Sequence, residues 1–596
     1  MNDDELAALL ALPEAPDTPP DMALAELLGI DIANLPAPKI VRQDKEEREH
    51  KPKSELPIAT FDFETDPGEP PLFDEKTGKI IAQGLKIAPF AWGFFDGSKY
   101  VSHYGEENCA EKLIEFMGSL DEPHIIYAHN GGMFDFLFLI PWLEKELFII
   151  NGRIVECKIG KHILRDSFAI IPVALKAFGD KREIEIDKLK RKVRKKHKAE
   201  IMDYMRQDCI GLWKGISVYR ERFGLSLTMA TTALKELEKR YGGKGKTIKR
   251  LDAKSDEFFR GFYYGGRVEC FTRGIIKREV KSYDVNSMYP YVMSQFKHPV
   301  GNEYKITKEI TNETDFAIIR ARSTGSLPVR TKEGLRFIRD ESPIVFNATG
   351  HEIREGMRLG ILKIEHVEAA YECSEHTNFA DFVAPLYAMR IEAKARGDKI
   401  DTLFLKLLLN SCYGKTALNP RDFCEYWISG DNRENPTGEG WQAIVVSDSY
   451  VVWERALAEY APEKIAGKFV NVATAASITG GARSLLLTAI ESATAPLYCD
   501  TDSILAEALP VVVNDIDLGA WKLEMQANEA AIAARKIYAL WQDNVCVKMA
   551  CKGARLTPDQ IRHVASGDQI RWTSPVPKIS LDNSQRYVSR VIRSVA

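Results

Sequence analysis

No two of the ten cysteines make a CxxC pair, and none joins a histidine cluster at zinc spacing. The pattern gives no sign of a zinc site or a disulfide framework and predicts reduced thiols in a cytoplasmic protein. An excess of one sign of charge is also missing. The 81 Lys+Arg against 85 Asp+Glu leave a net charge of −4, so any basic surface for a polyanion has to be local. No apolar run approaches the roughly 20 residues of a membrane span. The chain opens Met1-Asn2-Asp3-Asp4-Glu5, acidic where a signal peptide is basic. What is left is an ordinary globular balance, 45% hydrophobic and 28% charged over 596 residues, long enough for several domains.

Residues 1–56 are rich in Pro, Ala, Asp and Glu, which predicts a disordered or partner-docking tail. Beyond it, Ile58–Thr65 alternates as a strand, placing Asp62 and Glu64 on one face. Ile125–Asn130 predicts a second strand, followed by a glycine turn and Asp135 at the head of a helix-like apolar run. Tyr204 and Asp208 stand four apart in a helical stretch and share a face. Singly, each acid reads as surface charge; together, Asp62, Glu64, Asp135 and Asp208 suit a two-metal nuclease with Tyr204 orienting water. The run Lys188–Lys198 reads equally as a phosphate-binding patch and as a solvated face.

Later in the chain, Tyr498-Cys499-Asp500-Thr501-Asp502-Ser503 lies between apolar segments and predicts a tight hairpin with an acidic tip. Asp500 and Asp502, two apart on extended backbone, would face the same side. Crowded carboxylates call for cations, and paired metals about 3.5–4 Å apart serve in-line phosphoryl transfer. Asp284, between a strand and a helix, supplies a third acid. Phe379–Ala417 reads as two helices across a turn at Gly397-Asp398. Lys406, Asn410 and Tyr413 share one helical face, with Arg390, Lys394 and Lys399 one helix earlier, a basic lining suited to a triphosphate. Gly430–Gly438 predicts a hairpin loop. Thr479 and Arg483 share a face of the helix before the acidic hairpin.

These residues carry a resemblance. Tyr498–Ser503 resembles the YxDTDS motif of family B DNA polymerases, Asp284–Pro290 their DxxSLYP motif with Met288 in place of Leu, and Lys406–Gly414 their KxxxNSxYG motif. Phe61–Thr65, His129–Asp135 and Tyr204–Asp208 resemble the three exonuclease motifs, the second with one extra residue between Asn130 and Phe134. All six stand in the family's order, spanning 58 to about 556. Tyr263–Gly266 and Lys536–Tyr538 resemble the YxGG and KxY elements of the protein-primed subgroup of linear-genome phages and plasmids.

The resemblance implies an α/β (α+β multidomain) fold: an RNase H-like 3′-5′ exonuclease domain (57–225) and a right-hand polymerase. The latter would have a palm (226–298 and 469–556), fingers (379–420) and a thumb (557–596). Insertions would fill 299–378, contacting a terminal protein, and 421–468, a strand-separating hairpin. It implies a DNA polymerase with proofreading that replicates a phage, plasmid or other mobile genome as a monomer, on DNA template and primer strand with dNTPs, away from membranes. Two magnesium ions per site, replaceable by manganese, would be held by Asp284, Asp502, Asp500 and the Val285 carbonyl, and by Asp62, Glu64, Asp135 and Asp208. Nucleotide would meet Tyr289, Lys394, Lys406, Asn410 and Tyr413. DNA would meet Thr65, Asn130, Phe134, Ser167, Phe168, Tyr263, Gly265, Gly266, Thr479, Arg483, Lys536, Tyr538 and Lys552. The alternatives are a primer-independent relative, a reverse transcriptase, and a binding protein that has lost its chemistry. The last is opposed by the presence of all seven carboxylates.

Overall fold

The computed structural model describes residues 56–596 except 71, 74–79, 83, 176–182, 333, 431–433, 461–469, 555, 579–580, 582–586 and 596. But for Leu56, the acidic tail lies outside the described residues. The chain divides into two compact units, one from Met1–Thr228, Pro420–Ala466 and Thr573–Val591, the other from Met229–Asn419, Gly467–Trp572 and Ile592–Ala596.

The first unit is built on a ten-stranded sheet. Its strand Ile58–Asp66 runs parallel to Ile125–Ala128, which runs parallel to His162–Asp166, and pairs antiparallel with Ala88–Phe95. Every residue of Ile58–Asp66 except Asp62 is buried, because both faces are covered. Phe61 and Phe63 enter an aromatic core with Phe136 and Phe138. Helix Lys198–Phe223 is tied to the other face by the Thr60 hydroxyl, which donates to the Cys209 carbonyl at 2.8 Å. The run after Asp135 is not a regular helix. It forms the short 3-10 turns Gly131–Met133, Asp135–Phe138 and Ile140–Trp142, since paired glycines and Pro141 interrupt the α-helical ladder.

The same sheet is extended from far along the chain. Cys424–Ser429 pairs with Glu146–Ile150, and Val451–Ala456 and Gln442–Val446 follow. The loop at Gly430–Gly438 therefore does not close a hairpin: Val451–Ala456 lies between the two strands it joins. Part of the basic run is paired within this unit. Arg194 is buried against Asp66 and Glu106, Lys188 meets Glu200, and Lys190 meets Asp187.

In the second unit a five-stranded antiparallel sheet runs Val268–Cys270, Thr494–Asp500, Ser503–Ala508, Val280–Val285, Trp521–Ala527. Behind it, Leu497, Tyr498, Leu505, Leu540 and Tyr538 make one core. Residues 299–378 hold a separate four-stranded sheet with its own core. Helices Ala380–Ala395 and Lys399–Thr416 turn at Gly397, whose φ of 73° suits glycine, and Asp398 caps the second helix through the Asp401 amide.

Helix Val472–Ser492 is enclosed on nearly every side, which corrects the reading of Thr479 and Arg483 as DNA contacts. Both are about as buried as Ala482. Arg483 pairs with Glu352 at 2.7 and 3.0 Å and donates to the carbonyls of Tyr264 and Gly265 at 2.7 and 2.9 Å. Arg483→Met should lower the urea midpoint, at about 3–5 kcal/mol for the stranded Glu352 charge. Adding Glu352→Met should recover most of that loss. A DNA-contacting arginine would not be rescued in this way.

Candidate functional site

In the first unit, Asp62 and Glu64 project on the same strand face as Thr60, toward the helix that carries Tyr204 and Asp208. Asp135 arrives from the 3-10 turn, its Oδ1 accepting from the Phe63 amide at 3.2 Å. The approach depends on Gly132, where a Cβ would lie 2.0 Å from the Ile154 carbonyl oxygen. Burial, then the charges of Asp135, Glu64 and Asp208, push Asp62 well above the usual carboxylate range. Burial, Asp208 and Asp135 push Glu64 up to about 8. Burial also takes Asp135 up to about 7 against the pull of the Phe63 amide. It takes Asp208 to about 6 despite the hydrogen bond from Tyr204.

The consequence for stability has a definite sign. These carboxyls ionise near 4 when unfolded and higher when folded, so their contribution is present at acid pH and lost as pH rises through about 8. The thermal midpoint of chelator-treated protein should fall from about pH 5 to about pH 8. A divalent cation should recover it most strongly at the upper end. A midpoint flat in pH and indifferent to metal would count against the cluster.

Beside the cluster, Asn130 sits in the left-handed region with φ 61° and its Oδ1 accepts from Arg153 at 2.8 Å. Arg153 also pairs with Asp166 and lies 4.7 Å from the Phe168 ring centre. Thr65 is buried, whereas Phe134 is half-buried. Ser167 is wholly buried, its hydroxyl bonded to the Ala128 carbonyl at 3.1 Å and to His129 Nδ1 at 3.0 Å. Its expected contact with a DNA strand is thereby corrected to an internal support.

In the second unit the acidic hairpin has the predicted place, but its tip is not extended. Asp500 pairs with Ser503, and Thr501, with φ 61°, and Asp502 form the turn between them. The two acids are therefore not same-face strand neighbours. Asp500 accepts from the Tyr498 hydroxyl at 3.0 Å, Thr501 Oγ1 at 3.1 Å and Lys536 Nζ at 3.2 Å. Asp502 lies over the end of strand Val280–Val285, its carbonyl accepting from the Val285 amide at 2.9 Å. Burial first, then Asp502, raises Asp284 well above its usual value.

The turn is braced by Gly266, where a Cβ would come 2.9 Å from the Thr501 side chain, and by the Arg267 carbonyl, which accepts from the Thr501 amide at 2.7 Å. Tyr263 is half-buried and Gly265 exposed beside it. Lys536 reaches the acidic turn through Asp500, while Tyr538 is buried with its ring 5.0 Å from Tyr498. The expected DNA contact by Tyr538 is thus corrected to core packing. Lys552 is exposed.

Tyr289 and Tyr413 stack with ring centres 4.3 Å apart and planes 4° from parallel. Burial raises both phenols, and the Asp502 charge raises them further. The rings and the acidic turn therefore share one locality. Lys406 and Asn410 are half-buried on the helix of Tyr413, and Lys394 is exposed at the end of the helix before. Arg390 donates to Ser287 Oγ at 2.8 Å.

A curated relative from Enterobacteria phage PRD1, a DNA-directed DNA polymerase, is 39% identical across 92% of this chain and 99% of its own length. The chain belongs to the type B DNA polymerases. Residues 180–465 of this polymerase match the model of the organellar and viral branch, described as DNA polymerase type B, organellar and viral. A probable DNA polymerase of Agaricus bitorquis is 25% identical over 82% of this chain and 74% of its own. In fold, the polymerase matches Phi29 DNA polymerase complexed with primer-template DNA and incoming nucleotides. The TM-score is 0.66 at 18% identity, covering 90% of this chain and 99% of that one. The mixed α/β, multidomain fold follows from that likeness.

The polymerases of this family use divalent metal. The donor set here fits such an ion: buried carboxylates that repel one another, in one site with a lysine ammonium already drawn beside Asp284. Among the described residues no three His, Cys, Asp or Glu side chains form a ready-made cage. No helix among the described residues is long and apolar enough to cross a membrane.

Proposed function

We propose that the second unit is the synthetic site of this template-directed DNA polymerase, with Asp284 and Asp502 as its metal-binding acids. The Val285 carbonyl stands near them, and Asp500 supports the turn through Tyr498 and Lys536. Two magnesium ions, when bound there, would activate the primer 3′-hydroxyl and stabilise the leaving pyrophosphate. Lys394 and Lys406 gather the triphosphate, and Asn410 and Tyr413 border it. The Tyr289 ring, held flat on Tyr413, excludes a ribose 2′-hydroxyl. DNA passes Tyr263, Gly265, Gly266, Lys536 and Lys552.

The first unit is read as a 3′→5′ proofreading exonuclease. Asp62, Glu64, Asp135 and Asp208 hold its metals, Tyr204, hydrogen-bonded to Asp208, orients a water, and Thr65, Asn130, Phe134 and Phe168 receive the frayed strand. Residues 57–225 form this domain, joined by strands from 421–468. The palm is 226–298 with 469–556, the fingers 379–420 and the thumb 557–596, of which Thr573–Val591 groups with the first unit.

Synthesis starts on a hydroxyl of a terminal protein seated on 299–378, in the host cytosol, with the polymerase acting as a monomer. The observation that supports this reading most is the meeting of Asp284, Asp502, Tyr289 and Tyr413 in a chain 39% identical to a phage polymerase. Priming is tested by giving the enzyme template, magnesium and labelled nucleotide, with and without proteins of its own replicon. Label fixed to a protein is expected. Label in free DNA without any added protein would favour a primer-independent enzyme.

A further inference from the structure

Asp284 has a neighbour that no motif assigns. Across the sheet it stands directly opposite Lys522, whose Nζ is 3.2 Å from Asp284 Oδ1 and 3.1 Å from Glu524 Oε1. Lys522 and Glu524 are two apart on strand Trp521–Ala527 and so share a face. The other oxygen of Glu524 takes Lys548 Nζ at 2.9 Å, and that ammonium also reaches Ser282 Oγ at 3.2 Å on the strand of Asp284. The side chains of Lys522, Asp284, Glu524 and Lys548 are 17, 13, 14 and 4% exposed. Such shielding keeps these contacts from being dissolved by water and salt.

We propose that Lys522, anchored by Glu524 and Lys548, is a positioning residue for the metal-binding carboxylate Asp284. The inference rests on the reading of Asp284 as a metal ligand. A charge-assisted bond to one carboxylate oxygen fixes the plane of the carboxyl group and hence the direction of the other oxygen. Lys522 also offsets the repulsion between Asp284 and Asp502 before any metal arrives. Glu524 matters as much as the lysine. It holds the ammonium to one side and balances its charge, so that a divalent ion is not met by an uncompensated cation. Partners that orient a ligating carboxylate in this way commonly govern metal affinity.

The test titrates Mn2+ by electron paramagnetic resonance, without DNA or nucleotide, into chains that all carry Asp62→Asn and Glu64→Gln to silence the first-unit cluster. Asp284→Asn is expected to remove binding at the synthetic site. Lys522→Met is expected to weaken it about tenfold or more. The half-saturating metal for primer extension should shift by a similar factor, with the rate at saturating metal within about threefold of the parent. Should Lys522→Met fail to fold, Glu524→Gln, which frees the ammonium from its anchor, is expected to weaken binding several-fold. Loss with Asp284→Asn but unchanged or tighter Mn2+ binding in the foldable variant overturns the role of Lys522 and leaves Asp284 as a ligand. Unchanged binding in Asp284→Asn overturns both.

Discussion

Asp502→Asn is expected to stop DNA synthesis while primer degradation continues at the wild-type rate. The substitution keeps the shape of the turn, because the Asp502 backbone contacts, its amide to the Asp500 carbonyl at 2.7 Å and its carbonyl to the Val285 amide at 2.9 Å, do not involve the carboxylate. What it removes is one of the two charges facing each other at the end of the sheet. Charge stabilisation by a metal pair is worth several kcal/mol, and about 1.4 kcal/mol is a factor of ten in rate. Extension should therefore fall by about three orders of magnitude or more. Rapid-quench measurement of single-nucleotide addition at saturating magnesium and dNTP checks it. A loss of less than about tenfold would remove Asp502 from the metal-binding pair.

The reverse separation is expected of Asp62→Ala with Glu64→Ala. Degradation of a single-stranded primer should fall by a comparable factor, with extension of a matched primer retained. A second effect runs against the usual outcome of mutating buried residues. Glu64 is pushed up to about 8 by burial and by Asp208 and Asp135, so at pH 8 the metal-free fold carries an uncompensated charge. At about 1.4 kcal/mol per pKa unit, relieving it is worth on the order of a few kcal/mol. The isosteric pair Asp62→Asn and Glu64→Gln should raise the thermal midpoint of chelator-treated protein at about pH 8 and leave it nearly unchanged near pH 4. A lower midpoint at pH 8 would mean that these acids hold the fold together rather than strain it.

The placement of the acids in both candidate sites was legible in the sequence because they come with strong local signals. Asp62 and Glu64 alternate in an apolar strand, and the Asp500–Ser503 turn is flanked by β-branched and apolar residues. The positions that misled share a cause. Periodicity tells which residues share a face, not whether that face meets solvent. Thr479 and Arg483 do lie together on their helix, but Val472–Ser492 is apolar or small-residued all round and enclosed on nearly every side. An arginine inside such a helix signals a buried partner, here Glu352. Tyr538 alternates into the sheet core in the same way.

Other residues gave no signal at all. Lys522 and Glu524 look like any lysine and glutamate on a strand, and only the register opposite Asp284 distinguishes them. Arg153 and Asp166 are brought together by adjacent strands of the sheet. The strands of 424–456 join Glu146–Ile150 across almost 300 residues of chain, a pairing that no local pattern encodes.

One measurement bears most directly on the claim that a single chain carries two independent metal-dependent sites. A 5′-labelled primer–template is incubated with wild type, Asp502→Asn, or the Asp62→Ala and Glu64→Ala pair, each with and without dNTPs in magnesium. Wild type should lengthen the primer with dNTPs and shorten it without them. Asp502→Asn should shorten it in both conditions, and the first-unit pair should lengthen it with dNTPs and leave it intact without them. If either variant lost both activities while its thermal midpoint stayed at the wild-type value, the two-site account would be contradicted.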